Sequence, residues 1–257
     1  MKYQFDEKNH LHSLGGKPLI GTSTLIKDVM PPFLAKWGAQ CAVDYTKKEI
    51  EACMTETGTQ PELSVLTGIL DNAVNAWTKV RKEAADKGTD MHAELEKYVK
   101  SCIEKNNGNP DWRDRPDMEE VHAVKKFRDW ACDNVERFTF SEGYCYSDEL
   151  WVGGICDAGA VMKDGKFALF DFKSSKDAYF NQYIQVAGYS LQIAEHGVFD
   201  KDGNAIPTTN VKAEVLYIVP FGAKDVTPRP QYDVEGLQQA FKSCVGIYKS
   251  LQAFSNK

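Results

Sequence analysis

The most informative residues are a carboxylate and a lysine two positions apart in the largely apolar run from Lys166 to Lys173. The run predicts a β-strand, on which side chains alternate, so Asp171 and Lys173 share one face while Phe170 and Phe172 point into the opposite layer. A carboxylate that holds a divalent metal beside a lysine that positions an attacking water or stabilises a charged transition state would suit hydrolysis. Because an Asp-x-Lys triplet is expected about once by chance in a chain of this length, the triplet needs companions.

Asp157 is the candidate companion, upstream on a predicted hairpin. A two-residue turn would place Asp157 on the face opposite Asp171. A three-residue loop ending at Gly165 would instead pair Met162 with Lys166 and set Asp157 directly against Asp171. Two carboxylates placed in this way repel each other, and a bound cation removes the repulsion. We therefore favour the three-residue loop and a metal site over a surface salt bridge.

A second candidate segment contains a histidine and a glutamate one helical turn apart. Gly88 suits a helix terminus, and Thr89 or Asp90 can cap a new helix, so that His92 falls in its first turn. There the positive end of the helix dipole disfavours imidazolium and leaves neutral imidazole available to a metal. Glu96 lies on the same ridge. Taken alone, this segment is better interpreted as a surface histidine and a solvated glutamate.

A third candidate lies on a helix predicted from about Ala178 to His196. Its core stripe is predicted to contain Phe180, Ile184, Ala187, Leu191 and Ala194. A polar face away from that stripe contains Gln182, Gln185, Tyr189 and Gln192. Amides and a phenol can donate to phosphate oxygens, and a tyrosine can stack on a base, although a solvated face is the plainer interpretation.

Two kinds of segment must position these residues. Up to residue 135, helical periodicity predicts a short helix capped by Ser23, further helices over 33–48 and 66–87, one from Thr89 or Asp90 to the loop at 106–110, and one from Asp117. From Arg137 onward, strands are predicted at 138–140, 144–152, 155–162, 166–173 and 211–219, with helices at 178–196 and 234–254. The predicted fold class is α/β, a central mixed sheet flanked by helices with an N-terminal helical elaboration. We expect one domain over 1–257, mainly helical over 1–135 and an α/β core over 136–257.

Composition narrows the classes of protein. The chain is 42% hydrophobic and 26% charged, and no run approaches the 18 apolar residues of a membrane span. Its start lacks the apolar core of a signal peptide, so a soluble, cytoplasmic protein without a membrane partner is expected. The seven cysteines are odd in number and form no Cys-x-x-Cys pair, which predicts reduced, mostly buried thiols and argues against a zinc or iron–sulfur cluster.

The net charge of -6 would by itself argue against a nucleic-acid partner. The charge is uneven, however, because residues 110–150 contain six basic and eleven acidic residues whereas residues 206–257 contain six basic and four acidic ones. A neutral or basic groove elsewhere on the molecule therefore remains compatible with the global figure.

The order of these motifs resembles the RecB-like nucleases of the PD-(D/E)XK superfamily, which include phage-type and CRISPR-associated RecB-like exonucleases. Between about residues 85 and 220, the similar motifs are Gly88-x-x-x-His92 with a downstream Glu, Gly153-Gly154-x-x-Asp157, Asp171-x-Lys173 and Gln185-x-x-x-Tyr189. The opening Gly21–Ile26, followed by Phe33–Trp37, is also similar to the openings of phage-borne members.

The resemblance implies a restriction-endonuclease-like core and a role for each matched residue. His92, Asp157, Asp171 and the carbonyl of Phe172 would hold magnesium or manganese. Asp157, Asp171 and Lys173 would be catalytic, Gln185 and Tyr189 would bind substrate, and Glu96 and Gln182 would be accessory. Asp171 stands where many members have Glu, and only Cys244 lies in the C-terminal region, so no iron–sulfur cluster is expected.

The implied function is a metal-dependent DNA exonuclease of phage type that hydrolyses phosphodiester bonds in DNA processing or recombination. Its partners would be DNA and a second copy of the chain or a recombination protein. Two alternatives stay open: a catalytically silent DNA-binding or recombination-accessory protein on the same fold, and an endonuclease, for which no recognition element is identifiable.

Overall fold

The structure, a computed structural model, describes residues 2–31, 35–111, 122–208 and 212–255. The strands are β1 (Tyr3–Asp6), β2 (Leu11–Leu14), β3 (Lys17–Pro18), β4 (Ile20–Gly21), β5 (Val135–Ser147), β6 (Val152–Met162), β7 (Phe167–Lys173), β8 (Val198–Phe199), β9 (Ala205–Ile206), β10 (Val215–Pro220) and β11 (Arg229–Gln231). The helices are α1 (Thr22–Val29), α2 (Ala35–Thr57), α3 (Leu63–Ala73), α4 (Ala76–Asn106), α5 (His122–Asn134), α6 (Phe180–His196) and α7 (Val234–Ser255). None of the helices described is long and apolar enough to cross a membrane.

The chain forms two compact units, one of residues Pro32–Thr89 and one of Met1–Pro31 with Asp90–Lys257. The smaller unit consists of α2, α3 and the first part of α4, with Cys41, Ile69 and Ala73 buried. The larger unit contains the main sheet and all the candidate residues from His92 onward.

The main sheet is mixed and follows the order β11-β10-β7-β6-β5-β8-β9, with β4 pairing in parallel with β6. Strands β5, β6 and β7 form an antiparallel meander, and β10 lies parallel to β7 after the crossover through α6. The prediction of an α/β fold with a mixed sheet flanked by helices is confirmed.

Helices cover both faces of the meander, which explains why β7 is apolar almost throughout. Phe167 and Leu169 belong to a core cluster that includes side chains of α1, α6 and α7. Phe170 and Phe172 belong to a second cluster with side chains of α4 and α5. The predicted alternation along β7 is therefore confirmed, and Asp171 falls on the odd-numbered face that α6 covers.

The hairpin between β6 and β7 has the predicted three-residue loop. The backbone N–H of Met162 donates to the carbonyl of Lys166 at 2.8 Å, and Gly165 has φ 85°. The ladder continues from Val161–Phe167 to Ala158–Phe170. Extending that register by one residue sets Asp157 opposite Asp171, as predicted.

The predicted helix break at Gly88, with a new start at Thr89 or Asp90, is wrong. Helix α4 is continuous from Ala76–Asn106, and Gly88 is buried within it. A glycine in a helix interior costs only about 1 kcal/mol, which packing can offset. The break lies instead between α3 and α4.

The first strands of the meander were also predicted incorrectly. Ser141 to Gly143 do not separate two strands, because β5 passes through them with Glu142 in the left-handed region at φ 49°. The turn that follows spans residues 148–151 rather than Gly153-Gly154, which lie inside β6. Local composition favoured turns at glycines, whereas Gly154 lies inside β6 against the buried Tyr189 ring.

The N-terminal region differs from its purely helical prediction. Strands β1 to β4 precede α1, which begins at Thr22 with Gly21 as N-cap and no side-chain cap bond, so the predicted Ser23 cap is wrong. Phe33, Leu34 and the predicted helix start over 117–121 lie outside the described residues.

Helix α6 is confirmed, but its buried face is partly wrong. Phe180 is 62% exposed and Ala194 is exposed, although both were placed on the core stripe. Gln185, Tyr189 and Gln192, placed on the polar face, are buried. The buried polar side chains on that face are hydrogen-bonded to other protein groups, which is why the core accommodates them.

Candidate metal centre at the end of the hairpin

Strand β7 positions the central pair of the site. Asp171 is only 1% exposed, and its Oδ2 lies 2.6 Å from Lys173 Nζ. Oδ2 is buried and has no partner with good hydrogen-bond geometry among the described residues. Burial raises the pKa of Asp171, against the opposing effect of Lys173. Burial would lower the pKa of Lys173, but the charges of Asp171 and Asp157 raise it.

Asp157 lies one residue beyond the last β6–β7 ladder pair, Ala158–Phe170. Its side chain, rather than a backbone carbonyl of β6, accepts the next hydrogen bond from β7. Its Oδ2 accepts a hydrogen bond from the backbone N–H of Phe172 at 2.5 Å and lies 3.1 Å from His92 Nε2. The regular alternation of side chains along β6 is interrupted here, because Cys156 packs in the core on the α6 side and Ala158 packs in the core on the α4 side. Asp157 therefore sits at the boundary between both layers and can contact side chains from each.

The Phe172 carbonyl faces the same end of the hairpin. In a strand, the N–H and C=O groups of one residue point to the same side. Because the Phe172 N–H donates to Asp157, its carbonyl oxygen also points to the β6 side. The adjacent Lys173 carbonyl points to β10, where it accepts from Phe221 N–H at 2.9 Å.

His92 reaches the site from α4, as the motif order predicted, but not for the predicted reason. It lies about four turns after the first residue of α4, so the argument from the helix start is wrong. Burial lowers the pKa of His92, but the hydrogen bond and charge of Asp157, with Asp171, outweigh it and raise the pKa. The ring also packs edge-on against Phe172, with centroids 5.7 Å apart.

The types of ligand atom at this site suit a hard divalent cation. Two carboxylates and a carbonyl oxygen suit magnesium or manganese, and the imidazole favours manganese of the two. Asp171 Oδ2 is a buried oxygen whose contact with Lys173 lacks good hydrogen-bond geometry, so a bound cation would satisfy it better. In the structure, the ligand atoms of His92, Asp157 and Asp171 do not all lie within 4.8 Å of one another. Instead, Asp171 contacts Lys173 and Asp157 contacts His92.

Glu96, the predicted accessory residue, belongs to a neighbouring charged group. Lys100 Nζ lies 3.0 Å from Glu96 and 3.7 Å from Glu142. Burial, followed by Glu96 and with a smaller contribution from Asp157, raises the pKa of Glu142. Sequence reasoning missed Glu142. The β5–β6 register places it opposite Asp157, and that register could not be read while the surrounding segment was interpreted as a break.

Gln185 and Tyr189 form a buried pair beneath the carboxylates. Gln185 Nε2 donates to Tyr189 Oη at 2.7 Å. Burial raises the pKa of Tyr189, and the charges of Asp171 and Asp157 raise it further. The Tyr189 ring lies over Gly154, where a Cβ would overlap its Cε1 and lie 2.9 Å from its Cδ1. The ring thus explains one glycine of the pair before Asp157.

The remaining polar residues of α6 tie it to other elements. Gln192 Nε2 donates to Thr22 Oγ1 at 2.7 Å, and that hydroxyl donates to the Gly153 carbonyl at 3.1 Å. Gln182 is half-buried and donates to Ser175 Oγ at 3.2 Å. These contacts hold α6 over the end of the hairpin.

A second group of potential ligands lies on the surface. His196 Nε2 is 2.8 Å from Asp148 Oδ1 and 3.2 Å from Glu195 Oε1. One ligand atom from each residue lies within 4.8 Å of the other two. All three residues are exposed, and such groups are common without an ion.

Comparison of the chain with protein-family models gave no match, and a search of curated proteins gave none. The resemblance to RecB-like nucleases therefore remains a prediction from the motifs.

Proposed function

We propose that the chain is a divalent-metal-dependent DNA exonuclease with a restriction-endonuclease-like core. The observation that carries the proposal is the convergence of Asp157, Asp171 and Lys173 at the end of one hairpin, where Lys173 faces a buried carboxylate oxygen that no described group hydrogen-bonds with good geometry. Perturbed ionisable groups gathered at one place are typical of functional sites.

The proposed roles follow from chemistry and position. Asp157, Asp171 and the Phe172 carbonyl would hold the cation with His92. When bound, such a cation polarises a phosphodiester and lowers the pKa of a bound water. Lys173 would position the attacking water or neutralise charge that develops on the phosphate. Phe172 and the Gln185–Tyr189 pair would keep the strand end in place from its two faces.

The topology supports the core assignment by analogy. An antiparallel meander carries the two acids, and a helix and a strand parallel to the acidic strand follow it, which agrees with the central mixed sheet flanked by helices that the motif resemblance implies. A fold can host many functions, so the site residues carry more weight than the topology.

The test is incubation of the purified chain with end-labelled linear DNA and with closed circular DNA, in magnesium or manganese and in a chelator. Cation-dependent nucleotide release from linear DNA alone is the expected result. Cleavage of the circle would indicate an endonuclease. Failure to cleave either DNA with either cation would favour the catalytically silent accessory protein and overturn the proposal.

A further inference from the structure

Two adjacent aromatic side chains project into solvent at the start of α6. Tyr179 is 53% exposed and Phe180 is 62% exposed. Single exposed apolar residues are ordinary, but two neighbouring aromatic rings expose apolar surface that folding does not use.

The helix start does not need the Tyr179 ring. Tyr179 occupies the N-cap position, where small polar residues are preferred because their side chains cap the helix. Here the Gln182 side chain supplies the bond instead, since the Tyr179 backbone N–H donates to Gln182 Oε1 at 2.9 Å. A residue that departs from the local preference without a structural gain is a candidate for function.

The start of α6, which carries the two rings, lies next to the end of β7, which carries Lys173. Gln182 Nε2 donates to Ser175 Oγ, two positions after the end of β7. The backbone around Ser174 and Ser175 packs so closely on Gly222 that a Cβ there would overlap the Ser174 carbonyl. The start of α6, the end of β7 and the loop after β10 therefore form one continuous surface.

This surface offers positive charge. Lys176 and Lys224 are exposed, and neither forms an ion pair with any other residue that the structure describes. Arg229, by contrast, lies 3.4 Å from Asp225 and 3.9 Å from Asp177. Two lysines are thus available for phosphate oxygens on the two loops that meet at the start of α6.

We propose that Tyr179 and Phe180 stack on unpaired bases of a nucleic-acid strand whose phosphates contact Lys176 and Lys224. The occupant is a single-stranded segment, because stacking needs the face of a base, which a duplex conceals. The inference rests on the proposed nuclease function, since it identifies the strand form that Lys173 would meet.

The test is fluorescence anisotropy with a labelled single-stranded oligothymidylate in a chelator, which measures binding without cleavage. Replacing both Tyr179→Ala and Phe180→Ala should weaken binding about tenfold or more. Tyr179→Phe should bind as the wild type does, because it keeps the ring. Replacing both by Leu should lose as much as alanine does, because leucine keeps apolar surface without a π-face.

The matched control is Tyr232→Ala. Tyr232 is 61% exposed but lies beside Lys166, at the opposite end of β7. Unchanged binding by the double alanine variant, an equal loss in Tyr232→Ala, or full binding by the leucine pair would each overturn the stacking site. These outcomes do not depend on cleavage. A chain that binds the oligonucleotide through the two rings but cleaves nothing would refute the proposed function alone.

Discussion

Asp171 and Lys173 illustrate how one buried ion pair can serve a site. A carboxylate excluded from solvent is costly unless a cation faces it, and here Lys173 supplies that charge. The same lysine lies beside the proposed reacting group. The two roles of Lys173 can be separated experimentally. Compensating the charge of Asp171 affects metal binding and the stability of the protein, whereas acting on the phosphate affects the rate of cleavage.

Lys173→Ala should lower the single-turnover rate of DNA cleavage by about a hundred- to a thousandfold, corresponding to a lost transition-state contact of ~3 to 4 kcal/mol. Manganese binding measured by calorimetry should persist, because removing a nearby cation relieves repulsion with the metal. Lys166→Ala, at a partly exposed lysine directly after the hairpin loop that pairs with Asp164, is the control. Near-wild-type cleavage by Lys173→Ala would contradict the role of the lysine.

His92→Ala should weaken manganese binding about tenfold or more, because it removes the imidazole that lies next to Asp157 and would be a ligand of the metal. The matched variant is His196→Ala in the exposed surface group. Calorimetric titration of both variants separates the two candidate sites. If His196→Ala weakens binding and His92→Ala does not, manganese binds at the surface group instead.

The hairpin is the element that sequence predicted best, because a single loop length fixes the register of every pair that follows. Three residues ending in a left-handed glycine were enough to place Asp157 opposite Asp171. The interruption in β5 was not predictable in the same way. A glutamate at φ 49° depends on tertiary contacts that no local pattern contains.

Gly154→Ala should destabilise the fold by about 1 to 3 kcal/mol, since the added methyl group would overlap the buried Tyr189 ring. Urea unfolding measures the change. Gly246→Ala is the control, because its Cβ meets nothing within 4 Å, and in helix α7 it should stabilise by about 0.5 to 1 kcal/mol. Equal stability of Gly154→Ala and wild type would show that the ring is not held against the strand.

His12 on β2 should make stability depend on pH. Burial, with a smaller effect of His10, lowers the pKa of His12 to about 4, and its Nδ1 lies 2.6 Å from Tyr3 Oη. Because the unfolded chain has the higher pKa, it binds the proton first. Stability is therefore complete above the ordinary value near 6.5 and falls as the pH drops toward 4.

Between pH 7.5 and 5 the His12 contribution should amount to about 2 kcal/mol. The check is the free energy of unfolding in urea across this range for the wild type and His12→Asn, which cannot take up the proton. As the pH falls from 7.5 to 5, the free energy of unfolding of the wild type should decrease by about 2 kcal/mol more than that of His12→Asn. Parallel pH profiles would show that His12 is not buried as a neutral ring.

At the scale of the whole molecule, the α/β fold and most of its helices followed from periodicity, but long-range placement did not. No local physical argument brings His92 from the middle of α4 to Asp157, 65 positions later. Motif order predicted the meeting, and the argument from a helix start gave a wrong reason for it. The burial of Gln185 and Tyr189 also depends on how α6 packs against the sheet. Their polar character alone led to the incorrect prediction that this face is exposed.

The most direct test of the account is the manganese-dependent rate of nucleotide release from end-labelled linear DNA by wild type, Asp171→Asn and Asp148→Asn. Asparagine is nearly isosteric with aspartate and removes the carboxylate charge that would hold the cation. The account predicts release by the wild type and by Asp148→Asn, and a loss of about a thousandfold in Asp171→Asn. Wild-type release by Asp171→Asn, or loss of release in Asp148→Asn alone, would contradict it.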